Sequence, residues 1–390
     1  MSKSASRRPL AVVVGCIGKL PYAGMTAYVV HHILGLQDLG YDVHYVERLN
    51  RSGEAYDPRT SVSSDDTSYA LQYLPQVLEV YGLGHRAFSF IDRENACHGS
   101  GWPRLKDVLS HADFVLTVAD PTWFEELALC EQRIFIDGDP MFTQVAMATG
   151  EGSRSEPPRH YPTLFSYCTR FGMPDCKVPD VGRTWLPTRP LVATRDWTMA
   201  PGDRSLPLTA LLHWAAGGEL QWNGSTYGHK DREFEAFIDL PQHVEGTVVV
   251  AAGGRKAPRD LLRAKGWRLE DPLENTIDRA AYRKFVAESR ADLGIAKHAY
   301  VATRSGWFSD RSTCFLAASR PVLHQETGFS EWLPSTPGVL PFSNLENLKE
   351  AIHRLDLDYE QHVAGAREVA VEHFEASKVL SGMLGTAGLR

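Results

Sequence analysis

A chain of 390 residues that is 43% hydrophobic and 23% charged carries enough apolar material for more than one core, which excludes a disordered protein and favours two domains. Its formal net charge of -7 provides no basic field for a polyanion, so nucleic acid is not an expected partner. The six cysteines lack any CxxC pair and no uncharged stretch reaches the length of a membrane span, a combination that points to reduced thiols in a cytoplasmic protein without a transmembrane segment.

In chain order, residues 1–9 read as a flexible polar tail, and the five-residue apolar run that follows, ending at Gly15, is too short for the core of an export signal. LAVVVG (10–15) is a buried strand. A Gly/Pro loop leads to apolar residues at helical spacing through 25–39, Gly40 ends that helix, and YDVHYVE (41–47) alternates as a strand. This is a βαβ unit. Two further apolar strands end in aspartate, ADFVLTVAD (112–120) and EQRIFIDGD (131–139), and polar strand ends are where open parallel sheets place ligands. Residues 150–160 are rich in Ser, Glu, Pro and Arg and read as surface loop, whereas 191–207 belong to a proline-rich linker.

A second strand series starts at LTALLHWAA (208–216) and continues with GTVVVAAGG (246–254), GWRLED (266–271), AYVATR (299–304), RPVLHQ (320–325) and GVLPF (338–342). Helical spacing covers 345–355 and 359–384. The expected fold class is α/β, with two tandem Rossmann-like domains at 10–190 and 208–368 facing each other across a cleft. A terminal helix within 369–390 is expected to return to the first domain. Within the second domain the polar loop after 304, followed by Ser312-Thr313 at a helix start, offers backbone N–H groups and hydroxyls where a phosphate prefers to sit.

LPYAGMTAYVVHHILGLQDLGYDVHYVE (20–47) and GWFSDRSTCFLAASRPVLHQETGF (306–329) resemble the acceptor-side opening and the donor-binding unit of GT-B glycosyltransferases, the metal-independent enzymes that use nucleotide sugars. The resemblance implies transfer of a hexose or deoxyhexose from a nucleotide diphosphate sugar to a hydroxyl-bearing acceptor, natural-product-like or on a cell surface, with no metal and no resident cofactor. It places Tyr22, Gly24 and Met25 on the acceptor side. Two glutamates eight positions apart, common in retaining members, would fall where this chain has Gly306 and Cys314. The histidine usual in the first loop of inverting members is absent near 16–24, where Cys16, Lys19 and Tyr22 stand. The stereochemical class and the oligomeric state stay open.

A leaving diphosphate needs cations and N–H donors. The candidates are Ser309, Asp310, Arg311, Ser312 and Thr313, with Lys230 in NGSTYGHKDREF (223–234) and Arg304 as further cations and Glu326, Thr327 and Gly328 in the turn that follows. A helix cap and solvated charges would account for the same residues without any ligand. Lys230 reads equally well as an exposed residue starting a helix. His324 and Gln325 stand beside Glu326 as possible sugar contacts, and Trp185, Trp214, Trp222 and Trp307 as stacking faces. For the base that accepts the acceptor's proton the candidates are Asp139 and Asp120. Asp137 and Asp139 have the DxD spacing of a metal-binding pair, but a turn with Asp139 as a cap is the simpler reading. Two other activities share the architecture, a sugar-nucleotide epimerase and a non-catalytic sugar-nucleotide binder. A dehydrogenase is disfavoured because glycines at 15, 18 and 24 do not form GxGxxG.

Overall fold

The computed structural model describes residues 7–215 and 218–389, and the chain divides into two compact units. The outer part of the expected N-terminal tail, 1–6, and the end of the expected strand at Ala216 lie outside the described residues. Unit 1 comprises residues 1–138, 151–165 and 376–390, and unit 2 comprises 139–150 and 166–375. The residues expected to form a linker, 191–207, therefore cluster with the second unit, as do 166–190. A physical reason is backbone pairing with that unit: Arg170 N–H donates to Ser305 O and Lys177 N–H to Thr303 O.

Unit 1 is built on β1 (Leu10–Val14), α1 (Ala23–Asp38), β2 (Asp42–Arg48), a small hairpin of β3 (Ala55–Asp57) and β4 (Val62–Ser64), α2 (Ser68–Val80), β5 (Phe88–Ile91), β6 (Cys97–Gly99), α3 (Gly101–His111), β7 (Phe114–Val118), β8 (Arg133–Asp137) and β9 (Thr163–Ser166). Its sheet runs β9-β8-β7-β1-β2-β5-β6. The pairs β1–β2, β1–β7, β2–β5 and β7–β8 are parallel, and β6 pairs antiparallel on β5. Both faces of a parallel sheet are covered, so its central strands are apolar throughout rather than alternating. Val12, Val14, Val46 and Val115 accordingly share one core with Leu105 and Leu109 of α3. The C-terminal helix Ala376–Thr386 belongs to this unit and packs on α1, where a Cβ on Gly35 would come within 2.8 Å of the Ala376 Cβ. Glycine is what allows the two helices to approach so closely.

Unit 2 contains α4 (Phe142–Thr149), the short β10 (Trp185–Pro187), β11 (Leu208–His213), a hairpin of β12 (Leu220–Trp222) and β13 (Ser225–Tyr227), and α5 (Lys230–Phe234). There follow β14 (Val248–Gly253), α6 (Arg259–Ala264), β15 (Arg268–Leu269), α7 (Arg279–Ala287), β16 (Ala291–Gly294), α8 (His298–Ala302), α9 (Asp310–Ala317), β17 (Val322–Gln325), β18 (Val339–Phe342), α10 (Leu345–Leu357) and α11 (Tyr359–Val369). The sheet order is β15-β14-β11-β16-β17-β18, all parallel. Numbered within the unit this is 3-2-1-4-5-6, the doubly wound order, and the order in which strands are added reverses between β11 and β16.

The segment 299–304, expected to be a strand, is instead helix α8 and its end; the strand beside it is β16, four residues long. Apolar content misdirects here. Strand β16 carries Asp292, wholly buried, which interrupts its apolar run, while α8 is the more apolar of the two segments. The chain nevertheless follows a strand, helix, loop, helix, strand path.

Behind β18, Gly338 (φ +100) and Gly365 of α11 let two backbones touch: a Cβ on Gly338 would lie 2.4 Å from Ala366 N, and one on Gly365 would lie 2.3 Å from Pro337 O. Gly338→Ala adds both a left-handed strain and a backbone clash, so a loss of about 2–4 kcal/mol is expected. Urea denaturation of the variant measures it; a change below about 0.5 kcal/mol would mean that the turn moves freely away from α11.

Candidate functional site

In unit 2 the switch point between β11 and β16 is occupied by charge. Arg311, on the first turn of α9, places Nε 3.0 Å from Asp292 Oδ1 and Nη2 3.1 Å from Oδ2, while Nη1 donates to Leu211 O at 2.6 Å. Ser312 Oγ donates to the same carboxylate at 2.6 Å. One guanidinium thus joins β11, β16 and the start of α9. This bidentate clamp is an interaction available to arginine and not to lysine.

Lys230 opens α5 directly after the β12–β13 hairpin. Its ammonium makes no hydrogen bond or ion pair among the described residues, and burial together with the neighbouring Arg311 pulls its pKa from 10.5 down to about 7. A cation on the first turn of a helix opposes the helix dipole, so stability does not explain its position. Lys297, in the loop after β16, is ion-paired to Asp139 at 2.6 Å and lies 4.6 Å over the Phe142 ring. The Tyr300 hydroxyl donates to the same Asp139 carboxylate. Phe142 in turn stacks on His229 at 5.1 Å.

Ser309 takes the N-cap position of α9, yet its hydroxyl makes no cap bond to the helix. Its own N–H is donated to His324 Nε2 at 3.2 Å. His324 Nδ1 lies 2.8 Å from Gln325 O, so Nδ1 carries the hydrogen and Nε2 accepts. That neutral tautomer agrees with a pKa lowered to about 3 by burial. Ser309 therefore supplies no side-chain cap to the first turn of α9, where the Asp310 carboxyl instead takes hydrogen bonds from the Asp310 and Arg311 N–H groups. Asp310 beside them is pushed up by burial and makes no ion pair. Thr313 Oγ1 donates to Asp310 O at 2.7 Å.

Arg304, with φ 48, is ion-paired to Asp175 at 2.6 Å and Glu331 at 3.2 Å. Glu326 accepts from Gly328 N–H at 2.6 Å and from the Ser330 hydroxyl, and Thr327 Oγ1 donates to Trp307 O at 2.5 Å. Gly328 (φ +94) is required: a Cβ there would sit 2.5 Å from Arg170 Cδ. His324 and Gln325 are buried and turned inward. Trp185, Trp214 and Trp307 are also buried, with Trp307 on Tyr300 at 4.5 Å, and Trp222 alone of the four is partly exposed.

In unit 1 the corresponding switch point lies between β1 and β7. Lys19, in the loop after β1, reaches Asp120 beyond β7 at 2.6 Å and Glu54 at 2.8 Å. Glu47, at the end of β2, is wholly buried and accepts from Gly18 N–H at 2.8 Å, from the Lys19 N–H and from the Tyr45 hydroxyl at 2.6 Å. Burial raises its pKa to about 7 in spite of those donors. Glu47 thus fixes the shape of the 15–19 loop. Tyr22 precedes α1 with its ring 5.0 Å from that of Tyr56, and Gly24 and Met25 follow in the first turn, all three partly exposed. Asp120 belongs to this unit, whereas Asp139 belongs to unit 2. Asp137 is wholly buried.

Sequence reasoning passed over Lys297, Asp292, Glu47 and the Lys19–Glu54 pair. For Lys297 the signal existed: it follows β16, and placing the strand at 291–294 rather than 299–304 would have set it beyond the strand's carboxyl end, with Asp292 inside the strand.

Two doubly wound α/β units in tandem, each with charged residues at its switch point, define the GT-B fold of glycosyltransferases. No family model and no curated protein matches the sequence. Solved structures do match over nearly the whole chain. An alpha-glucosyltransferase in complex with UDP superposes with a TM-score of 0.58 at 10% identity, covering 98% of this chain and 100% of its own. HepE from Anabaena, in complex with UDP-glucose, gives 0.56 at 10%, covering 97% and 99%. A putative UDP-N-acetylglucosamine 2-epimerase from Listeria monocytogenes gives 0.51 at 13%, covering 98% and 96%. The alpha-glucosyltransferase has also been solved with UDP and a 13-mer DNA, so the exclusion of nucleic acid drawn from net charge finds no support there. No helix among the described residues is long and apolar enough to cross a membrane.

Proposed function

We propose that the protein is a cytoplasmic glycosyltransferase that moves a hexosyl or deoxyhexosyl group from a nucleoside diphosphate sugar to a hydroxyl of a small-molecule or cell-surface acceptor. The observation that carries this is Lys230: a desolvated ammonium that makes no ion pair among the described residues, beside Arg311 and the start of α9. An unpaired, part-buried cation is costly, and a diphosphate is an anion that would relieve the cost. Arg311 is neutralised in part by Asp292, which leaves Lys230 and the α9 N–H groups as the main donors to the phosphate oxygens. Ser309, Ser312 and Thr313 add hydroxyls. The leaving diphosphate is then stabilised by fixed dipoles and cations, with no divalent metal in the scheme. Thr327 and Gly328 form the turn that shapes the sugar end.

On the acceptor side, Tyr22, Gly24 and Met25 line the start of α1, and Asp120 is the base. Asp120 is favoured over Asp139 because it shares a unit and a switch point with those residues. Lys19 holds its carboxylate in place. Asp139 instead orients Lys297.

The test is to incubate the protein with UDP-glucose and other nucleotide sugars and with acceptors that include small phenols, sugars and a DNA oligonucleotide, and to read products by mass spectrometry. A glycosylated acceptor is the expected result. Isomerised sugar nucleotide without transfer would replace this reading by an epimerase, and turnover of no nucleotide sugar would refute an enzymatic role.

A further inference from the structure

The loop 168–176, CTRFGMPDC, ends in cysteines whose sulfurs lie 3.7 Å apart. It braces the chain that leads into the α9 loop. Thr169 Oγ1 donates to Gly306 O at 3.2 Å, Arg170 N–H to Ser305 O at 3.3 Å and Lys177 N–H to Thr303 O at 2.9 Å. The Arg170 side chain, 4% exposed, is ion-paired to Asp175 and Glu331. It also fills the space that side chains on Gly306 and Gly328 would need. Asp175, next to Cys176, holds Arg304 as well.

We propose that Cys168 and Cys176 are a reversible dithiol–disulfide couple. Cys176 is partly exposed and Cys168 wholly buried, so the first can meet an external disulfide and the second can act only on its neighbour. The roles follow from access. The Cys176 thiol is lowered to about 7 by its hydrogen bond with Cys168, with Arg170 contributing. Burial instead raises the thiols of Cys16, Cys97, Cys130 and Cys314. Thiolate character thus concentrates at Cys176, and the thiolate is the nucleophile.

With glutathione disulfide as oxidant, the Cys176 thiolate attacks one sulfur and expels one glutathione thiolate. The Cys168 sulfur then attacks Cys176 in the mixed disulfide, expels the second glutathione and gives up its proton to that leaving thiolate. Two electrons pass to glutathione disulfide, which becomes two molecules of glutathione, and the protein gains one intramolecular disulfide. A thiol reductant reverses both steps.

The experiment exposes the full-length protein to glutathione disulfide at pH 7.5 (about half a unit above the lowered thiol), blocks remaining thiols by alkylation and maps the peptides by mass spectrometry. The expected result is a Cys168–Cys176 crosslink that disappears with dithiothreitol, while the other four cysteines are alkylated. Cys168→Ser should instead accumulate a stable mixed disulfide at Cys176, because no neighbour resolves it, and Cys176→Ser should leave Cys168 unmodified. Wild-type protein in which Cys176 keeps glutathione, or in which both thiols stay free, would overturn the proposal. So would a crosslink that forms equally between other cysteine pairs. None of these readouts depends on sugar transfer, so the couple and the proposed function stand or fall separately.

Discussion

Lys230→Met is expected to abolish nucleotide binding and at the same time to stabilise the ligand-free protein by about 1–3 kcal/mol at neutral pH. The sign follows from the depressed pKa. Unfolded, the ammonium takes its proton at 10.5, but folded only near 7. Between those values the unfolded chain binds more protons, so stability declines as pH falls from 10.5 through 7, and the full penalty applies below 7. A methionine of similar length removes it. The gain is kept below the full shift because Lys230 retains some contact with water. In a unit of this size each kcal/mol moves Tm by about 2–4 °C. Melting curves of wild type and variant at about pH 7 and about pH 10.5 check the claim, since the difference between them should vanish at the higher pH. A variant that melts lower at both would mean that the ammonium is satisfied in the fold and is not waiting for an anion.

Asp292→Ala should act in the opposite direction and cost about 3–5 kcal/mol, because it leaves the Arg311 guanidinium and the Ser312 hydroxyl without their common acceptor in a buried position. Asp292→Asn keeps the volume and one carbonyl oxygen, and is expected to recover part of that loss. Chemical denaturation with linear extrapolation measures both. A loss under about 1 kcal/mol for Asp292→Ala would show that Arg311 turns to solvent when released, and that the clamp does not organise the switch point. The two variants together separate the cation that stabilises the fold from the one reserved for a ligand.

That distinction marks the limit of what the sequence carries. Branched apolar runs such as 10–14 and 248–252 make the parallel strands legible, because a strand covered on both faces has no polar register to confuse it. Strand β16 was not legible, since Asp292 breaks its run and only the fold supplies the arginine that neutralises it. The helix start after the loop at 306–309 was legible from its polar residues before an apolar run. Which of the two cations is paired was not: Arg311 and Lys230 look alike in sequence, and their difference lies in Asp292, nineteen residues from Arg311. The bond that His324 accepts from the Ser309 N–H and the bracing by Arg170 depend on tautomer and packing, which have no sequence signature.

If unit 2 holds a nucleoside diphosphate at Lys230 and the start of α9, calorimetric titration of UDP into the ligand-free protein at about pH 8 detects it. Phosphate next to the ammonium raises its pKa, so saturable binding is predicted together with proton uptake, seen as a heat that depends on the ionisation enthalpy of the buffer. The same titration into Lys230→Met should show neither. Absence of binding by wild type with UDP, and with TDP, GDP and ADP in turn, would contradict the account.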